Sequence, residues 1–514
     1  MYTKIFYFLL LAIIFSLFTK FNPNFFSQLE KNFYELTKNF STEKKNISDE
    51  KKILEEGKKI KIAEKSLDKD FLEKYKIFEE RGDFYASQNF IELAINEYNK
   101  SILEIEKGEN YANKNVKNLQ KLGKILNDFL NAKKRILEKL YKNQNLIGDY
   151  KKAEKNILNL VAIFPDEKFL FELIRNKMNQ KDLEKAQLIL NRIKNKNYKY
   201  YYFDFIFNLN PNEDVETLEK KFDNVKNLVE KSGDTNYILK VLAINNALEE
   251  YKTYRDSPKI HLYTLIAKAL TNSFEFEISN KILWEVLKIR EDYRDARIIF
   301  AYNKIREGEP KKGLNILIGA ENIDPTKPDI QFYKAFAYQD LGDLVKAKHN
   351  FLIALKNGFE PKSQIYQKLA EISFKEKKYG DAIDFYKKML GENSEKIEYF
   401  LLPFEISVEN QKDFKLALKI AQWAQRRHSE SALANSIVGY GYFLNGDIEN
   451  AKNALKKAFE LDPNLARNYL YAGEISMKEG NTAIALKQFE IAYKKNPNGK
   501  IGKKAIRFYN KLIK

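Results

Sequence analysis

Apolar residues along most of this chain recur every three or four positions, the spacing that puts one stripe on the face of an α-helix. Leu218, Phe222, Val225 and Val229 form one such face. The pattern predicts helices with almost no β-structure. Two stretches break it. Ile5–Phe18 is an uncharged apolar run, and Ser41–Asp70 alternates charges of both signs with few large apolar residues.

The helical pattern itself repeats. Aligning Ala432–Leu465 with Ala466–Gly499 matches Gly439 with Gly473 and Gly446 with Gly480. It also matches Ala451 with Ala485, Ala458 with Ala492 and Pro463 with Pro497, all at an offset of 34. The same frame runs back through units at 398–431, 363–396, 328–361, 294–327 and 260–293, seven in all, with single-residue slips near 362 and 397. Upstream, 75–108, 134–167 and 167–200 keep parts of it; 109–133 and 201–259 stay helical in spacing but out of register. Within a unit, small residues at the eighth, twentieth and twenty-seventh positions let two helices approach. A Gly or Asn near position fifteen makes the turn, and Pro near position thirty-two stops the second helix. One pair cannot bury its own apolar face, so neighbours must stack.

These residues resemble the tetratricopeptide repeat, whose pattern is W-x2-L-G-x2-Y…A-x3-F…P. The best unit has Val438, Gly439 and Tyr442, then Ala451 and Leu455, then Pro463; Asn435 stands where the Trp would be. The resemblance covers 260–499 well and 75–200 in patches. It implies an all-α fold, an α-α superhelix (solenoid) of tandem helix-turn-helix repeats with the first helices lining the concave side. It also implies a protein-protein interaction scaffold that binds peptide or helix segments in that groove. By position in the unit, the groove candidates are Ile298, Tyr302, Phe332, Phe336, Gln367, Glu371, Phe374, Tyr440, Phe443 and Glu474. Tyr302, Phe336 and Tyr440 share position nine and would be aromatic anchors. Chaperone-binding members of the family clamp a terminal carboxylate with Lys at position five and Asn at position nine, and no unit here has that pair.

The N-terminal run changes the picture from a free scaffold to a tethered one. Fourteen residues reach about 21 Å as a helix, short of a bilayer core of about 30 Å. Lys4 and Lys20 flank the run, and no small-residue cleavage pair follows it. An uncleaved, single-pass signal anchor is expected over 1–21, with the repeats outside the cytoplasm; cleavage would give a secreted form. Residues 22–74 would be a charged tether or stalk, 75–259 degenerate repeats, 260–499 the tandem units, and 500–514 a basic capping helix.

Charge adds little discrimination. Lys and Arg number 89 against 71 Asp and Glu, a net +18, split between +8 in residues 1–259 and +10 in 260–514. A basic chain admits polyanion binding, to RNA or an anionic cell-envelope polymer, as the alternative function. The diffuse charge and the secretory-type N-terminus disfavour nucleic acid, so other proteins are the expected partners. With no cysteine and three scattered histidines, thiolate chemistry and Cys- or His-rich metal sites are excluded. No nucleophile elbow or phosphate loop occurs. No enzyme activity, cofactor or metal is expected.

Overall fold

The computed structural model describes residues 67–253, 257–497 and 499–513. The anchor expected over 1–21, and the tether up to residue 66, lie outside them. All regular structure among the described residues is helical, and none of these helices is long and apolar enough to cross a membrane. The chain divides into two compact units, the first ending at Gly308 and the second starting at Glu309. That boundary falls between the two helices of the predicted repeat 294–327.

The first unit comprises α1 (Leu67–Ser87), α2 (Ile91–Asn115), α3 (Leu119–Leu146), α4 (Tyr150–Ile163), α5 (Lys168–Asn179), α6 (Leu183–Leu190), α7 (Tyr198–Phe207), α8 (Val215–Ser232), α9 (Thr235–Thr253), α10 (Lys259–Asn272), α11 (Phe276–Ile289) and α12 (Arg294–Arg306). The second comprises α13 (Pro310–Ile323), α14 (Pro328–Asp340), α15 (Leu344–Lys356), α16 (Lys362–Lys375), α17 (Tyr379–Glu392), α18 (Glu398–Ile406), then a π-turn at Ser407–Gln411. It continues with α19 (Phe414–Arg427), α20 (Ala432–Leu444), α21 (Ile448–Leu461), α22 (Ala466–Lys478), α23 (Thr482–Lys495) and α24 (Lys500–Leu512). Helix pairs stack through apolar stripes into tandem repeats, the all-α solenoid that the 34-residue register predicts.

One turn grammar runs through both units. A first helix ends at a residue with left-handed backbone, and the next residue begins the second helix. Gly342 (φ 85°) precedes Asp343, and Gly446 (φ 88°) precedes Asp447. Glycine takes that conformation without a Cβ clash. Each Asp then caps its helix, accepting from the backbone N–H of Lys346 and of Asn450. From Phe274 the left-handed residues that join the two helices of a pair follow at Gly308, Gly342, Lys377, Lys412, Gly446 and Gly480, while Gly358, also left-handed, lies outside this series between α15 and α16. Their spacing is therefore 34 or 35 throughout, which places the single-residue slips.

Packing between paired helices depends on small residues. A Cβ on Gly439 would stand 3.0 Å from Leu455 Cγ and 3.1 Å from the Ala451 carbonyl oxygen. At Gly473 it would meet the Phe489 ring at 2.6 Å. Gly439→Leu is therefore expected to overpack α20 against α21, costing about 1–3 kcal/mol. A urea midpoint equal to the parent's would contradict this packing.

Candidate interaction surface

In the second unit the first helices of successive pairs are α14, α16, α18, α20 and α22, with α24 in the next such place. Side chains join them over more than one repeat. Arg467 Nη2 on α22 lies 2.9 Å from Glu405 Oε1 on α18, across the intervening α20. Lys500 Nζ on α24 lies 2.8 Å from Glu405 Oε2 and 2.8 Å from Glu409 Oε2. Residues two and three repeats apart touch only if these helices line the inside of a curve. The inner face is thus the face of the first helices.

At its C-terminal end this face is filled by its own side chains. Tyr440 and Tyr471 stack at 3.8 Å with 4° between ring planes. The Tyr440 hydroxyl donates to Glu474 Oε2 at 2.8 Å, and Lys504 Nζ pairs with Glu474 Oε1 at 2.8 Å. Arg467 Nη1 donates to the Tyr471 hydroxyl at 2.8 Å. Burial opposes ionisation of Glu405, yet Arg467 and Lys500 outweigh it and hold the carboxyl below its usual range. Burial, and then the Glu474 carboxylate, raise the pKa of Tyr440; burial takes Tyr471 to about 12. The space left among Phe404, Tyr440, Leu470 and Lys500 is about 20 Å³, room for a water and not for a ligand.

The ten residues singled out by repeat position separate into two groups. Ile298, Phe332, Phe336, Tyr440, Phe443 and Glu474 are buried. Phe332 stacks on Phe359 at 4.0 Å, and Phe336 meets Phe332 and Phe351 edge-on at 5.0 and 5.6 Å. These phenylalanines fill the space between the paired helices α14 and α15 and the loop at Phe359. Tyr302, Gln367 and Glu371 are half-buried, and Phe374 is 36% exposed. Gln367 Nε2 donates to Glu371 Oε1 at 3.2 Å, while Lys368 Nζ bonds the other oxygen at 2.7 Å. The structure thus brings Gln367 and Glu371 together on α16, and Tyr440 with Glu474 between α20 and α22. Ile298 and Tyr302 belong to the first unit and the other eight to the second. Repeat-position reasoning missed Glu405, Glu409, Arg467, Lys500 and Lys504. Arg467, at position two of its unit, and Glu409, at position twelve of its own, carried a signal; the other three did not.

The first unit holds a second polar cluster, fully inside. Lys240 on α9 forms an ion pair with Glu275, the residue before α11, and both are over 90% buried. Tyr202 and Tyr237 present ring faces to Lys240 at 5.6 and 5.7 Å. Arg175 donates to the Tyr237 hydroxyl at 3.0 Å. Burial pushes Lys240 down to about 8, partly offset by Glu275; Lys240 and Arg175 overcome burial at Glu275 and hold it below its usual range. Among the described residues no group of three or more His, Cys, Asp or Glu could hold a metal ion.

No protein-family model matches the chain, and no curated protein matches it. Among solved structures it is similar to yeast Tom70, at 15% identity over 86% of this chain and 96% of that one, with a TM-score of 0.30. It is also similar to pilF of Pseudomonas aeruginosa, at 16% identity over 42% of this chain and 97% of that one, TM-score 0.33. A third is YrrB, described as a TPR protein with an unusual peptide-binding site, at 18% identity over 37% and 97%, TM-score 0.31. Likenesses this loose carry no function; the repeat reading stands on the register and the helix pairs.

Proposed function

We propose that this chain is a scaffold that binds other proteins on the inner face of its first helices, tethered to a membrane by Ile5–Phe18 with the repeats outside the cytoplasm. The observation that supports it is the curvature of the second unit, read from the Glu405–Arg467 and Glu405–Lys500 pairs. Curved helical arrays present one extended surface that a peptide or helix can follow. At the α18–α24 end that surface is closed by its own charges, so the open stretch is α16, where Gln367, Glu371 and Phe374 reach solvent. Phe374 supplies the aromatic area that binding sites concentrate.

A photocrosslinking residue at Phe374, in the full chain within membranes, is expected to capture another protein. The same residue at Val345, 75% exposed on a second helix, is expected not to. Equal capture from both positions, or from neither, contradicts the inner-face reading. The tether is read separately: the chain should fractionate with membranes and keep its first residues. A mature N-terminus near Thr19 contradicts the anchor.

A further inference from the structure

The α2–α3 hairpin is built unlike the other pairs. α2 has 25 residues and α3 has 28, whereas the paired helices of the second unit mostly have 13 or 14. α4, with 14 residues, is half as long as α3, so it can pair with only the C-terminal half. There, Leu137, Leu140 and Tyr141 are buried. The same stripe continues towards the N-terminus of α3 as Leu119, Leu122, Leu126 and Leu130, at the i, i+3, i+7, i+11 spacing of one helix face. Among the described residues no further helix covers it. Leu119 is 81% exposed and Leu130 37%. The neighbouring face, with Phe129 and Ala132 buried, is the one that packs on α2.

Charge gives a second observation. Residues 110–127 contain Lys114, Lys117, Lys121 and Lys124 and no acidic residue. All four lysines are exposed. A tip that is apolar on one side and basic elsewhere fits a surface that is anionic outside and apolar beneath.

The third observation is where the chain enters the fold. Ser101 Oγ on α2 donates to the Tyr75 carbonyl on α1 at 2.8 Å, and the Tyr98 hydroxyl donates to Asp83 at 2.7 Å. In this antiparallel pairing Leu67, the start of α1, falls beside the last residues of α2. The stretch that carries Ile5–Phe18 therefore joins the fold at the hairpin tip.

We propose that the α2–α3 tip rests on an anionic lipid bilayer, with Leu119 and its stripe at the acyl boundary and the four lysines among the headgroups. The location rests on the tether reading; the chemistry rests on the tip itself. Each lysine near an anionic leaflet strengthens attachment roughly fivefold, and the leucines add apolar burial.

The chain has no cysteine, so Leu119→Cys in the full chain takes an environment-sensitive fluorophore at one place. Val345→Cys is the control. Each is reconstituted with vesicles of phosphatidylcholine alone or with added phosphatidylserine. The expected result is flotation with both vesicle types. The label at 119 should shift to the blue and brighten severalfold with phosphatidylserine, and the label at 345 should not change. Lys117→Gln, Lys121→Gln and Lys124→Gln together should abolish the shift while flotation and the helical circular dichroism persist. Flotation with an unresponsive label at 119 overturns the tip contact and leaves the tether standing. Failure to float with phosphatidylcholine overturns the tether, and the response at 119 to phosphatidylserine vesicles then decides the tip alone. A shift at both labelled positions means general adsorption and overturns the proposal.

Discussion

Replacing Glu275 by alanine should destabilise the first unit by about 3–5 kcal/mol, the cost of removing one partner from a buried ion pair. The variant strands Lys240, only 7% exposed, in the neighbourhood of Arg175 with no carboxylate between them. The rings of Tyr202 and Tyr237 attract a cation but cannot neutralise it. Lys240→Met combined with Glu275→Leu should recover most of the loss, because a packed apolar pair carries no desolvation cost. The pH dependence has a definite sign. Burial holds Lys240 in the folded chain near 8, below its ordinary 10.5. Between those values the unfolded chain binds more protons, so this group makes the fold more stable as pH rises. The deficit of Glu275→Ala should therefore shrink from pH 7 to pH 10, as Lys240 sheds its proton. Trp284 lies in the first unit and Trp423 in the second. Urea unfolding of the Trp423→Phe chain, followed by Trp284 fluorescence, reads the first unit. A deficit equal at both pH values would mean that a stranded charge is not its cause.

The sequence made the repeat legible where its turn residue was glycine and its close contacts were Gly or Ala. Gly446 with Asp447 and Gly439 with Ala451 announce a turn and a helix approach by residue type alone. The repeat blurred where lysine or phenylalanine held the same left-handed backbone, at Lys377, Lys412, Lys181 and Phe274. Those residues adopt it because the flanking helices fix the chain, and no local propensity advertises it. Two segments could not be placed, for different reasons. Residues 109–133 lie in a hairpin whose helices are twice the usual length, so the 34-residue frame skips there. Residues 201–259 open on the rest of α7 (Tyr198–Phe207), which is largely aromatic and mostly buried. It shows no stripe to read.

The candidate surface was less legible than the fold, because repeat position gives direction and not depth. Position nine holds Tyr302, Phe336 and Tyr440. In isolation each points towards the inner face. Whether it ends as lining or as filling depends on what its neighbours leave empty. Phe332 and Phe351 meet Phe336, Phe359 stacks on Phe332, and the four rings form one linked cluster. Around Tyr440 the space is taken by Tyr471, Glu474 and Lys504. Lys504 comes from the closing helix, which a repeat alignment does not contain. At Gln367 and Glu371 the side chains are smaller in apolar volume, and the helix face stays open.

That difference yields an opposed pair of outcomes. Phe336→Ala should cost about 3–5 kcal/mol, the range for truncating a buried phenylalanine and leaving a cavity. Phe336 is only 5% exposed, and its loss removes edge-to-face contacts with Phe332 and Phe351 together. Phe374→Ala should change stability by less than about 0.5 kcal/mol, as surface substitutions do. Its ring is 36% exposed and meets Tyr379 only at 5.8 Å. If both were groove anchors, both would leave the fold intact and weaken a partner. If the packing described for the second unit holds, Phe336→Ala lowers the urea midpoint reported by Trp423 in a Trp284→Phe chain, and Phe374→Ala leaves it in place. Partner capture separates them further. Phe374→Ala should weaken it in a chain of parental stability, whereas the loss with Phe336→Ala should follow its unfolding curve. Parental stability in Phe336→Ala would return that residue to the lining and reopen the inner face at α14.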